Sequence, residues 1–186
     1  MATDRRTRKT KQALQQAILQ IIQTKDLDKI TVSEVAELAD VSRMAFYYHY
    51  EDIYDLYHHV EDDFFNEFAK LYDKSESHDY RENMELLMTF LKNNSNAVKC
   101  FSTKSSDRQF NTRFAAVLES QFKEIVMYEM NTNMLSDHLN YMITYHSAGI
   151  YAVYMKWIET DFAWSNEDVL NLIKEIDDAC DKLYYH

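Results

Sequence analysis

Proline is absent from this chain of 186 residues, and glycine occurs once. Ordinary usage would supply roughly nine and thirteen. Sheet and α/β folds need both residues at their turns, so their scarcity points to an all-α chain. Whole chemistries go with them. A P-loop or a dinucleotide fingerprint needs several glycines within a few residues, and Gly149 stands alone. A nucleophile elbow is excluded for the same reason. Cysteine is scarce too. Cys100 and Cys180 fit no metal or redox spacing and are expected as reduced thiols. No apolar run reaches the ~18 residues of a membrane span. No signal-peptide core opens the chain. These absences lead us to expect a cytoplasmic protein with no cofactor, no metal and no membrane partner.

Charge is present but unevenly spread. The net charge is −11. Residues 1–50 hold eight Lys/Arg and six Asp/Glu, whereas residues 51–186 hold twelve and twenty-five. Arg5, Arg6, Arg8, Lys9 and Lys11 crowd the start, opposed only by Asp4. A basic arm on an acidic body suits one end that meets a polyanion. A solvated, frayed terminus has the same composition.

Polar breaks fall at 25–29, 74–79, 93–96, 102–107, 131–137 and 161–166. Between them the apolar residues recur with helical period over 7–24, 53–74, 80–93, 107–129, 137–159 and 166–184. Thr31, Ser42, Asp52, Ser136 and Ser165 stand where N-caps belong. Residues 137–159 are apolar nearly all round and must be buried on every side, centrally or against a second subunit. About nine helices are expected.

The segment Thr31–Tyr50 reads TVSEVAELADVSRMAFYYHY. A helix-turn-helix needs a short helix, a tight turn and a second helix across the first. Val35, Ala36 and Ala39 provide a small apolar face, and Asp40 falls where a left-handed backbone is required. Val41 plugs the turn, Ser42 caps the second helix and Phe46 faces inward. Arg43, Met44, Ala45, Tyr47, Tyr48 and His49 then face outward. Arginine reaches guanine or phosphate, and methionine and alanine suit a thymine methyl. Tyrosine and histidine donate to phosphate oxygens. Thr31 and its helix N-terminus suit another phosphate. Arg5 and Arg6, in the basic arm, suit the DNA backbone or a minor groove. The competing reading is a plain helical hairpin with an aromatic surface patch.

Ile30–Leu56, ITVSEVAELADVSRMAFYYHYEDIYDL, resembles the DNA-binding domain of TetR/AcrR-type transcriptional regulators. The run Tyr47-Tyr48-His49-Tyr50 matches the tyrosine–x–histidine–aromatic signature of that family. The run FYYHYEDIYDL resembles a subgroup that includes the activator of dihydroxyacetone-kinase operons, some members of which respond through a partner protein. The family implies a three-helix head, a linking fourth helix, and a C-terminal helical domain that dimerises and often holds a ligand. Three positions depart from its pattern. Asp40 replaces the usual Gly, Met44 a Gly or small residue, and Ile53 a phosphate-gripping Lys.

Two other groupings have weaker claims. His58, His59, Glu61, Asp62 and Asp63 form an acid–imidazole cluster that reads as a solvated face rather than a metal site. No Glu precedes a His by three residues, which argues against a carboxylate-bridged di-iron bundle. No Ser–His–Asp or Cys–His set can be assigned, so nothing points to an enzyme. Phe90, Phe110, Phe114, Tyr141, Tyr145 and His146 are candidates for an effector pocket, the alternative being an aromatic core. The expectation is an all-α homodimeric regulator. Residues 1–50 would be a helix-turn-helix head on a palindromic double-stranded operator. Residues 51–186 would dimerise through about 137–184 and sense a small-molecule or protein effector.

Overall fold

The computed structural model describes residues 2–74, 79–104 and 109–184. The breaks expected at 74–79 and 102–107, and the side chain of Cys180, lie largely or wholly outside the described residues. Nine α-helices and one 3₁₀ turn appear among the described residues, with no strand. In order they are α1 (Ala2–Ile21), the 3₁₀ turn (Leu27–Lys29), α2 (Val32–Leu38), α3 (Arg43–Tyr47), α4 (Ile53–Lys74) and α5 (Tyr80–Asn93). There follow α6 (Ser95–Lys104), α7 (Gln109–Glu129), α8 (Asp137–Glu159) and α9 (Asn166–Tyr184).

The chain divides into two compact units. The first is Met1–Glu67 with Asn96–Arg108. Leu14, Ala17 and Ile18 of α1, Val35 and Ala36 of α2 and Phe46 of α3 are nearly or wholly buried in its core, where α1 packs on α2 and α2 on α3. Burying a side chain of this size contributes roughly 1.5–3 kcal/mol, which is why so short a helix as α3 holds. The sequence pattern did not single out α6, a ten-residue helix between two polar breaks. It belongs here because Ala97, Val98, Cys100 and Phe101 are buried, and the Phe101 ring meets Tyr57 and Phe64 of α4 at 5.4 and 6.0 Å.

The second unit is Phe68–Ser95 with Gln109–His186. Here α7 packs along α8 and α5 packs on α9. Phe68 is central, with Phe90 at 5.6 Å and Phe114 at 6.2 Å. The wholly buried Tyr154 donates its hydroxyl to the Met84 sulfur at 2.9 Å. Helix α8 does not bury every side within one chain. Ile143, Ser147, Ile150, Tyr154, Trp157 and Ile158 face inward, while Tyr141, Tyr145, Ala148, Gly149 and Ala152 are exposed.

A chain with one glycine must stop its helices by other means. Asp40, Asn131 and Asp161 take φ of 53, 49 and 59°. Each ends a helix with the paired bonds of a Schellman stop: Val41 N–H to Ala36 C=O at 2.9 Å, Thr132 to Met127 at 3.0 Å, Phe162 to Trp157 at 2.8 Å. Asp and Asn tolerate the left-handed region because their short side chains bond locally.

Candidate nucleic-acid interface

The reading helix is placed by what precedes it. Thr31 caps α2 through a reciprocal box. Its hydroxyl accepts the Glu34 N–H at 3.3 Å, and the Glu34 carboxylate accepts the Thr31 N–H at 2.9 Å. Lys25 reaches the same carboxylate at 2.6 Å. The Lys25 ammonium first, then the Thr31 hydroxyl and N–H, hold Glu34 down to about 2. The α2 stop at Asp40 turns the chain, and the exposed Ser42 caps α3 by accepting the Ala45 N–H at 3.1 Å.

Helix α3 is only five residues long, and its sides are sharply divided. Phe46 is wholly buried, while Met44 and Tyr48 are 83% and 79% exposed. Arg43 and Tyr47 are exposed as well, and Ala45 and His49 are half-buried. The last turn closes with the His49 N–H donating to Phe46 C=O at 2.8 Å, and Tyr50 turns inward. Thus four of the predicted reading residues stand out from one face, and two flank it at its edge. Arg5 and Arg6 are exposed, but as part of the first turns of α1 and not as an extended arm.

Sequence reasoning missed a junction behind this face. The Lys11 ammonium lies 5.8 Å from the Tyr50 ring centroid. Gln15 of α1 donates to Asp63 of α4 at 2.7 Å. Lys11 and Gln15 lie one helical turn apart and share a face of α1, but no local pattern encodes the remote residues they meet. Burial, then the carboxylates of Asp63 and Asp55, push the Tyr50 hydroxyl up to about 12. Burial first and the Lys11 charge second lower His49 below its ordinary 6.5.

The group described as bacterial regulatory proteins, tetR family, matches residues 14–60. A TetR transcriptional regulator C-terminal region matches residues 78–177. The chain belongs to the TetR family of transcriptional regulators. Solved structures share the fold. The dihydroxyacetone kinase operon activator DhaS has a TM-score of 0.69 at 22% identity, covering 94% of this chain and 97% of its own. A TetR transcriptional regulator from Streptococcus agalactiae 2603V gives 0.62 at 23%, covering 95% and 97%. The fatty acid degradation regulator FadR from Bacillus halodurans gives 0.65 at 13%, covering 90% and 93%. No curated protein sequence matches the chain. As a TetR-family protein it is a regulator and not an enzyme, and its family binds DNA operators and commonly acts as dimers.

Seen as a TetR-family head, the start of α4 is unusual. Ile53 is 6% exposed and serves the core, so the lysine commonly found there has no counterpart. The helix N-terminus is satisfied from within. Asp52 accepts the Asp55 N–H, and the Asp55 carboxylate accepts the Glu51 N–H, each at 2.8 Å.

In the C-terminal part of this TetR-family chain, the six candidate pocket residues separate into two groups. Phe90, Phe110 and Phe114 are core, with Phe110 stacked on Phe114 at 5.9 Å. Tyr145 and His146 line a groove of about 350 Å³ between α8 and α9, with Ile173 and Ile176 opposite. His146 Nδ1 stands 3.4 Å from the Asp177 carboxylate. Tyr141 is exposed one turn before Tyr145. Among the described residues no three His, Cys, Asp or Glu side chains gather as metal ligands. No described helix is long and apolar enough to cross a membrane.

Proposed function

We propose that this TetR-family chain is a homodimer that binds a palindromic operator, with residues 1–50 reading DNA and residues 51–186 dimerising and sensing an effector. The observation that carries the reading is the α3 face. Arg43, Met44, Tyr47 and Tyr48 project from a helix whose opposite side is fixed by Phe46 and whose start is fixed by Ser42. Arg43 and Met44 contact base edges, while Tyr47, His49 and Thr31 contact phosphates. Arg5 and Arg6 follow the backbone alongside.

The dimer is supported by the exposed stripe of Tyr141, Tyr145, Ala148, Gly149 and Ala152 on α8, with Ile176 exposed on α9. Two heads must meet successive major grooves, roughly 34–36 Å apart, and a two-fold pair does this with one protein surface. An effector acts by favouring one spacing of the heads, and it shifts DNA affinity only by its differential affinity for the two states. Helix α4 belongs to the first unit up to Glu67 and to the second from Phe68, which supports a coupling role for it.

A second reading has its own support. Phe90, Phe110 and Phe114 fill the interior, which favours a C-terminal domain that docks a partner protein in place of a small ligand. The structural relative named as an operon activator also allows DNA binding here to activate transcription.

The test is selection of random duplex DNA by the purified protein at near-physiological salt, followed by sequencing. An enriched palindrome with a half-site spacing near one helical turn, or a multiple of it, is expected. Weak binding without enrichment would overturn the autonomous dimer and leave the partner-docking reading.

A further inference from the structure

We propose that Lys11 and His49 form one site for a single DNA backbone phosphate, occupied by a phosphodiester oxygen together with a proton taken up from solvent. This rests on the DNA-binding reading above and assigns a residue outside the helix-turn-helix to it.

The two basic groups come from different elements and share one tyrosine. Lys11, exposed on α1, sits over the Tyr50 ring. The His49 ring lies 6.3 Å from the same ring and meets Tyr48 edge-on at 4.9 Å. Tyr50 is a fixed platform, 2% exposed, with Phe46 at 5.9 Å and His59 of α4 at 5.4 Å.

The surrounding charges leave the pair available to an anion. On α4, Asp63 accepts from Gln15, and Asp55 is held by the Glu51 N–H and by His59 at 3.1 Å. Both carboxylates act on the Tyr50 hydroxyl, and the charge that acts on His49 is that of Lys11. Lys11 makes no ion pair among the described residues. The free protein therefore holds an ammonium and an imidazole against one tyrosine ring, the ammonium with no ion pair among the described residues.

A phosphate oxygen between them reverses this balance. Its charge offsets the repulsion from Lys11 and favours the imidazolium, which donates a charge-assisted hydrogen bond. DNA binding then takes up a proton wherever the pH lies between the free and bound pKa values of His49. Affinity rises as pH falls through that window and levels off below it. Because phosphates carry no base information, the effect is the same on every sequence.

The experiment is fluorescence anisotropy of the full chain on its selected duplex and on a scrambled duplex of equal length, from pH 6 to 8 and from 50 to 200 mM salt. The wild type should tighten on both duplexes as pH falls, by up to ~10-fold per pH unit for one proton. His49→Gln should give a flat profile. Lys11→Met should lower the slope of log affinity against log salt by ~0.9, the share of one phosphate contact. It should also move the pH response upward, since the repulsion is gone. Lys11→Arg, which keeps both the charge and the ring contact, should restore the salt slope. A wild-type profile as flat as that of His49→Gln, or an unchanged slope in Lys11→Met, overturns the site alone. Failure to bind either duplex at any pH overturns the DNA-binding reading with it.

Discussion

The sharpest perturbation is Gly149→Ala, because the isolated chain and the proposed dimer predict opposite signs. Gly149 lies inside α8, where glycine is less favourable than alanine by about 0.8–1.0 kcal/mol. A methyl group added there meets nothing within 4 Å in the chain. The isolated chain should therefore gain about 1 kcal/mol, or roughly 2–4 °C in melting temperature for a protein of this size. The same position lies between exposed Ala148 and Ala152, next to exposed Tyr145. If two α8 helices approach closely along this stripe, the methyl group enters the interface. Overpacking of a formed contact costs about 1–3 kcal/mol, which corresponds to a dimer dissociation constant about 5- to 150-fold higher. Sedimentation equilibrium gives the dissociation constant, and melting at high dilution gives the chain term. The expected outcome is a weaker dimer of individually more stable chains. A dimer unchanged or tightened by Gly149→Ala would refute close approach at this stripe. A dilute melting temperature that fails to rise would refute the helix argument.

Three further outcomes follow from the head. Arg43→Ala should relax preference at one base position by about 1–3 kcal/mol in a repeated selection, with little change in non-specific affinity. Asp40→Ala should melt below the wild type because alanine lacks the local bonding that eases a φ of 53°, whereas Asp40→Gly should melt above Asp40→Ala by a few degrees. Glu34 is held at about 2 against an ordinary 4.5, so its contribution is fully present above pH 4.5 and is lost as pH falls from there toward 2. Acid titration of stability should show that loss, and Lys25→Met, which removes the largest cause, should shrink it.

Most of the fold was legible because the helical period and the caps agree. Ser42, Ser136 and Ser165 accept the N–H bonds that the sequence assigned to them, and Asp52 does the same at α4. Asp40 adopts the left-handed backbone that its place in the turn demanded. Helix α6 was not legible. Its ten residues carry Ser, Asn, Lys and Thr at both ends, and only burial of Val98 and Phe101 against a remote part of the chain makes it a helix. The reading face was legible by residue type, but the edge position of His49 was not. That depends on Tyr50 turning inward beside Lys11, a contact across 39 positions that no local pattern encodes. The aromatic surplus of the C-terminal part was ambiguous for a related reason: composition does not distinguish a ring that lines a cavity from one that fills it.

The departures from the family pattern act together. With Ile53 buried, and with the Asp52 and Asp55 carboxylates accepting the N–H groups of Asp55 and Glu51, that helix start presents carboxylates where a phosphate would be gripped. The exposed cations in the described head are Arg43 on the reading helix, a group on α1, and Lys29, which is paired with Asp26. Phosphate neutralisation by lysine and arginine sets both the salt dependence and the strength of non-specific binding. A head that loses this contact at α4 holds random DNA weakly, the more so with a body of net −13 over residues 51–186 repelling the duplex. Under the proposed reading, discrimination by such a protein rests on the base contacts of α3, while α1 decides how tightly the whole complex is held. In the proposed site, a backbone contact shared by Lys11 and His49 that strengthens as His49 takes up a proton changes affinity without changing which sequence is chosen.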